Sequence, residues 1–106
     1  MILYNVWFSF KAGSNESAEL DKARTFLDDL KNRAMLHAYR LMKNRAPREK
    51  SRLASYQLMA EFADDRQFGL PFAEVGRIGI HSGSHGMMIQ NVDEFMVEVF
   101  EDCSPS

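Results

Sequence analysis

Two histidines in a glycine- and serine-rich run bring the first chemistry within reach. His81 and His85 lie in Gly79-Ile80-His81-Ser82-Gly83-Ser84-His85-Gly86. Imidazole changes charge near neutral pH and serves as general acid, general base or metal ligand. A spacing of four would let both rings reach one metal from a helix, but no third ligand stands close in sequence. Glycines on both sides point to a loop instead. A loop histidine is well placed to face a pocket, because connecting segments carry much of protein function. No metal or organic cofactor is expected. The single cysteine, Cys103, has no base beside it in sequence and reads as a bystander thiol.

The elements that must position these residues follow from periodicity. Ile2 to Phe10 is aromatic and β-branched and ends at Ala12-Gly13-Ser14-Asn15, a strand and then a turn. From Glu16 to Ala34 the period changes: Leu20, Ala23, Leu27, Leu30 and Ala34 recur at helical steps, capped by Ser14 or Asn15. His37 to Lys43 and Tyr56 to Phe62 read as two strands joined by a long charged hairpin containing Pro47. Asp64 and Gln67 have capping-box spacing, while Gly69 and Pro71 argue for a second helix that begins near Leu70. Gly76 to Gly86 reads as a loop, Met87 to Val92 is ambiguous, and Glu94 to Glu101 is a fourth strand. The order strand-helix-strand-strand-helix-strand predicts an α+β, ferredoxin-like β-α-β-β-α-β domain over residues 1–102, with a short tail at 103–106.

Alternation sorts the strand residues onto two faces. Tyr4, Val6 and Phe8, with Tyr39, Leu41, Leu58, Ala60 and Phe62, share one apolar face that two helices should cover. Phe95, Val97 and Val99 belong to the same face. The other collects Asn5 and Trp7 with Arg40, Gln57, Glu61, Met96, Glu98 and Phe100. Two helices cannot shelter both faces of a four-stranded sheet, and monomers rarely expose a large apolar patch. The second face therefore predicts a homodimer packed sheet to sheet. On that face Arg40 suits an anionic ligand group, with pairing to Glu61 or Glu98 as the structural alternative.

Composition narrows the partners. The chain has 106 residues and carries 13 basic against 15 acidic residues, a net charge of −2. Nothing in that balance draws it to nucleic acid or to an anionic membrane. No apolar run approaches the length of a membrane span. The opening run lacks a basic start and a small-residue cleavage site, and one cysteine cannot form an internal disulfide, so a cytoplasmic protein is expected. Lys43, Arg45, Arg48, Lys50 and Arg52 make the hairpin locally basic, a surface for an anionic partner or simply a solvated loop.

The element order and the mixed second face resemble the dimeric α/β-barrel superfamily. Within it, the opening Met1-Ile2-Leu3-Tyr4-Asn5-Val6-Trp7-Phe8 is similar to a small uncharacterised bacterial family. So are Tyr39-Arg40-Leu41, Asn44-Arg45-Ala46-Pro47, Glu61-Phe62-Ala63-Asp64-Asp65, Gly79-Ile80-His81 and Val97-Glu98-Val99-Phe100-Glu101. The resemblance implies two ferredoxin-like subunits packed sheet to sheet, with a pocket between each sheet and its helices. Some members are cofactor-free oxygenases, and others degrade haem with an asparagine, a tryptophan and a histidine. Asn5 and His81 occupy comparable places, but the third strand has Gln57 and Met59 where that tryptophan belongs.

Two functions emerge. One is a small-molecule binder or cofactor-independent oxygenase- or isomerase-like enzyme. Its pocket would hold Asn5, Trp7, Arg40, Glu61, His81 and His85, with His81 as acid/base, Arg40 as anion anchor and Trp7 as wall. The other is a non-catalytic dimeric interaction domain that uses the basic hairpin.

Overall fold

The computed structural model describes residues 1–45 and 54–105. The alternating run at the start of the chain forms β1 (Ile2–Phe10), followed by α1 (Glu16–Asn32), β2 (Ala38–Lys43), β3 (Tyr56–Phe62) and α2 (Asp65–Ile78). A short α3 (Gly83–Ile89) precedes β4 (Val92–Glu101). The strands make one antiparallel sheet in the order β2-β3-β1-β4, with the helices on one face. This is the ferredoxin-like α+β architecture that the pattern predicted, with one helix more than expected.

Register puts the predicted faces in place. Tyr4 lies between Ala60 and Val99, and Asn5 lies between Met59 and Glu98. Trp7 lies between Gln57 and Met96, while Arg40 pairs with Met59 on the outer side of β3. A bulge after Phe8 lets Ser9 pair with Asp93 and skips Glu94, which keeps Phe95 opposite Phe8.

α1 is amphipathic and buries Ala23, Leu27 and Leu30. Asn15 caps it, its side-chain oxygen accepting from the Ala18 amide at 3.1 Å. The helix ends at Asn32, two residues before the expected Ala34. Ala34 takes a left-handed φ of 58°, and the Met35 amide turns back to the Leu30 carbonyl at 2.9 Å. That is a Schellman closure with alanine where glycine is usual. Leu27, Leu30 and Leu36 meet Ala60 and Phe62 in the buried core.

α2 starts at Asp65, not near Leu70. The Asp64 carboxylate accepts from the Gln67 amide at 2.8 Å, and the Gln67 side chain accepts from the Ala63 amide at 2.7 Å. This reciprocal cap outweighs Pro71, which sits buried inside the helix and removes one backbone hydrogen bond. Phe68 and Phe72 anchor α2 against Tyr4, and Phe68 also meets Phe62. Arg33 holds it to the end of α1 through both oxygens of Glu74, at 2.7 and 2.8 Å.

The expected loop from Gly76 to Gly86 is mostly helical. α2 runs through Gly76 to Ile78, Gly79 turns at φ 112°, and α3 begins at Gly83. A Cβ on Gly86 would stand 2.2 Å from the His81 carbonyl oxygen. Glycine there lets the first turn of α3 lie against the His81 backbone, so residues that read as loop formers permit close packing instead.

The helices do not shelter the whole apolar face. They pack over β2, β3 and β1, and leave Phe95 71 %, Val97 37 % and Val99 51 % exposed on β4. The expectation that these three lie under the helices is corrected: alternation assigns them the right face, but no helix reaches them.

Candidate functional site

Because the helices leave β4 uncovered, a cavity of about 1180 Å³ opens between that side of the sheet and the helices. Its floor is Tyr4, Val6 and Phe8 of β1 with Phe95 and Val97 of β4. α1 contributes Phe26, and α2 contributes Phe72 and Val75. Met87 and Met88 of α3 form part of the wall. Apolar, ring-lined walls with few polar groups are the usual make-up of a ligand site.

Both histidines of the glycine-rich run line this cavity, in different states. His81 is exposed at the rim. His85 is partly buried, its ring edge set against Phe26 with centroids 5.4 Å apart. Its Nδ1 lies 2.6 Å from the Ile80 carbonyl oxygen. A carbonyl only accepts, so Nδ1 carries the hydrogen and the neutral ring keeps its lone pair on Nε2. That tautomer leaves an oriented base at the cavity wall. No third metal-ligating side chain joins the two histidines among the described residues.

The far end of the cavity is built where α3 meets β4. Lys11 lines it and donates from Nζ to the Gln90 carbonyl at 3.1 Å. The Lys11 amide bonds the Asn91 carbonyl at 2.8 Å. Asn91 Nδ2 in turn donates to the Glu19 carboxylate at 2.7 Å, and Lys22 donates to the same oxygen at 3.1 Å. Glu19 is only 4 % exposed. Burial pushes its carboxyl up, but the hydrogen bonds from Asn91 and Lys22 outweigh that and hold it below its ordinary value.

Asn5, Trp7, Arg40 and Glu61 are on the opposite side of the sheet. Asn5 is buried, donating to the Leu3 carbonyl at 3.2 Å and accepting from Gln57 Nε2 at 3.0 Å. Trp7 and Glu61 are partly buried and Arg40 is exposed. Among the described residues, no carboxylate lies within ion-pair distance of Arg40. The single pocket expected from sequence is therefore divided. His81 and His85 share the helix side of the sheet, and Asn5, Trp7, Arg40 and Glu61 share the other. Arg48, Lys50 and Arg52 of the basic hairpin lie outside the described residues.

Sequence reasoning missed Lys11, Phe26 and Phe72 as wall residues. Phe26 and Phe72 lie on helices, where an apolar residue gives no sign of facing a cavity rather than the core, and Lys11 simply follows the end of β1. The Asn91–Glu19 bond has no sequence signal at all.

No functionally curated protein matches the chain. Solved structures do. A protein of Arabidopsis thaliana, At3g17210, aligns with 100 % of this chain and 99 % of its own at a TM-score of 0.72 and 13 % identity. A dimeric ferredoxin-like protein of unknown function from Jannaschia sp. CCS1 aligns over 96 % of this chain and 100 % of its own, at a TM-score of 0.64 and 19 % identity. A dimeric protein of unknown function with a ferredoxin-like fold from Bacteroides fragilis aligns over 95 % of each chain, at a TM-score of 0.58 and 11 % identity. Likeness at these identities concerns the fold. At the level of sequence, residues 1–105 match DUF6614, a family of unknown function, and the chain belongs to that family.

Proposed function

We propose that this protein is a homodimer that binds a small, largely apolar molecule in the cavity between each sheet and its helices. The observation that carries the reading is the ring-lined cavity itself, with one oriented imidazole, His85, in its wall. Proton transfer to or from the bound molecule would fall to Nε2 of His85, with His81 at the rim as its exposed neighbour.

The dimer rests on the other face. Met96, beside Trp7, is 49 % exposed there, and Phe100, opposite Leu3, is 52 % exposed. Packing two such faces together would remove both from water, at about 1–2 kcal/mol for each large side chain covered. The Asn5–Gln57 bond already satisfies the buried amide on that face. Arg40, Glu61 and Glu98 give it both signs of charge for pairing across a twofold axis. The similar proteins from Jannaschia and Bacteroides are described as dimeric.

Equilibrium titration with the neutral fluorescent probe N-phenyl-1-naphthylamine tests the cavity. Saturable binding of one probe per subunit is expected. Val97→Trp, which places an indole in the cavity from a partly exposed strand position, should abolish it while circular dichroism stays native. Unchanged binding by that variant would end the proposal.

A further inference from the structure

We propose that the cavity is selective for an apolar monocarboxylate, with Lys11 as the anchor of its anionic head. The inference rests on the cavity reading above and adds the chemical class of ligand. The chain is net acidic, with 15 acidic against 13 basic residues. Yet no Asp or Glu lines the cavity among the described residues, and its ionisable wall groups are Tyr4, Lys11, His81 and His85. None of these carries negative charge at neutral pH, since burial pushes the Tyr4 phenol above its ordinary value of 10.

Lys11 is held in place for this role. Its backbone amide bonds the Asn91 carbonyl and its ammonium bonds the Gln90 carbonyl, so both ends of the residue are tied to the junction of α3 and β4. An ammonium has three donors, and one goes to Gln90. No carboxylate lies within ion-pair distance of Lys11 among the described residues. An acid whose tail lies on Phe8, Phe95 and Val97 would supply that missing partner, whereas an amine would meet like charge and an alcohol would forgo the charge-assisted bond.

Competition against N-phenyl-1-naphthylamine by dodecanoate, dodecanol and dodecylamine, each below its micelle concentration, tests this. Dodecanoate should bind about tenfold tighter than dodecanol, as expected for one charge-assisted hydrogen bond at a partly solvated site. Lys11→Met keeps the apolar stem and should bring dodecanoate to the level of dodecanol without changing dodecanol itself. Lys11→Arg should preserve the preference. Dodecanoate binding no tighter than dodecanol, or a preference that survives Lys11→Met, would overturn the inference while leaving the cavity reading intact. If none of the three displaces the probe, both fall together.

Discussion

Asn91 bonds the buried carboxylate of Glu19 at 2.7 Å across 72 positions of sequence, and so ties the start of β4 to the first turn of α1. Glu19 Oε2 has no partner among the described residues, so the remaining bonds carry the cost of burying the charge. Asn91→Ala should lower stability at neutral pH by about 1–3 kcal/mol, because it removes the shorter of the two hydrogen bonds that a buried carboxylate accepts. The pH dependence has a definite sign. A carboxyl held below its ordinary value of 4.5 stabilises the fold above that pH and loses the contribution as pH falls through the folded value. Urea denaturation of the wild type should show this acid-side loss, and Glu19→Gln should flatten it.

Ala34 terminates α1 with a left-handed φ of 58°. Such a conformation costs a non-glycine residue about 1–2 kcal/mol, partly offset by the greater unfolded-state freedom of glycine. Ala34→Gly should therefore raise stability by about 0.5–1 kcal/mol, read as a higher urea midpoint with unchanged slope. The Gln67 side chain bonds the Ala34 carbonyl, which the substitution retains.

Element order, faces and the first helix were legible because each follows from a period in the chain. Leu20, Ala23, Leu27 and Leu30 mark α1 whatever lies above it. What the period does not carry is the distance to the next layer. Phe95 and Val97 have the same alternation whether a helix covers them or a cavity opens over them. Pro71 and Gly69 spoke against an early start for α2, and the Asp64–Gln67 cap overrode them through bonds that form only in the fold. α3 was hidden because Gly83 turns the chain into it at a left-handed φ of 62° while Gly86 serves packing against His81, and both read alike as loop formers. The candidate site was half legible: sequence singled out His81 and His85, but it joined them to Asn5, Trp7, Arg40 and Glu61, which the thickness of the sheet separates within a subunit.

Gly86 is the most constrained of these positions. Since a Cβ would meet the His81 carbonyl at 2.2 Å, Gly86→Ala must displace α3 from the His81 backbone. Overlap with backbone cannot be relieved by a rotamer change, so a loss of about 1–3 kcal/mol is expected. The displacement should also move His85 relative to Ile80 and Phe26. Probe affinity in the cavity should then fall more than stability alone explains, measured well below the melting temperature. Gly76→Ala is the control. Its Cβ meets nothing within 4 Å and its φ lies outside the left-handed range, so it should stabilise α2 by up to about 1 kcal/mol.

The single tryptophan reports on the proposed dimer. Trp7 lies on β1 between Gln57 and Met96, on the face that also carries Phe100. Burying that face against a second copy would take the indole out of water, so its emission should shift to the blue as protein concentration rises through the dimer dissociation range. Phe100→Asp places a charge on an exposed strand position, where the isolated subunit tolerates it and a sheet-to-sheet interface does not. The variant should sediment as a monomer, keep its far-ultraviolet circular dichroism, and show red-shifted emission at every concentration. A Phe100→Asp protein that remains dimeric would place the contact elsewhere and remove the sheet face from the proposal.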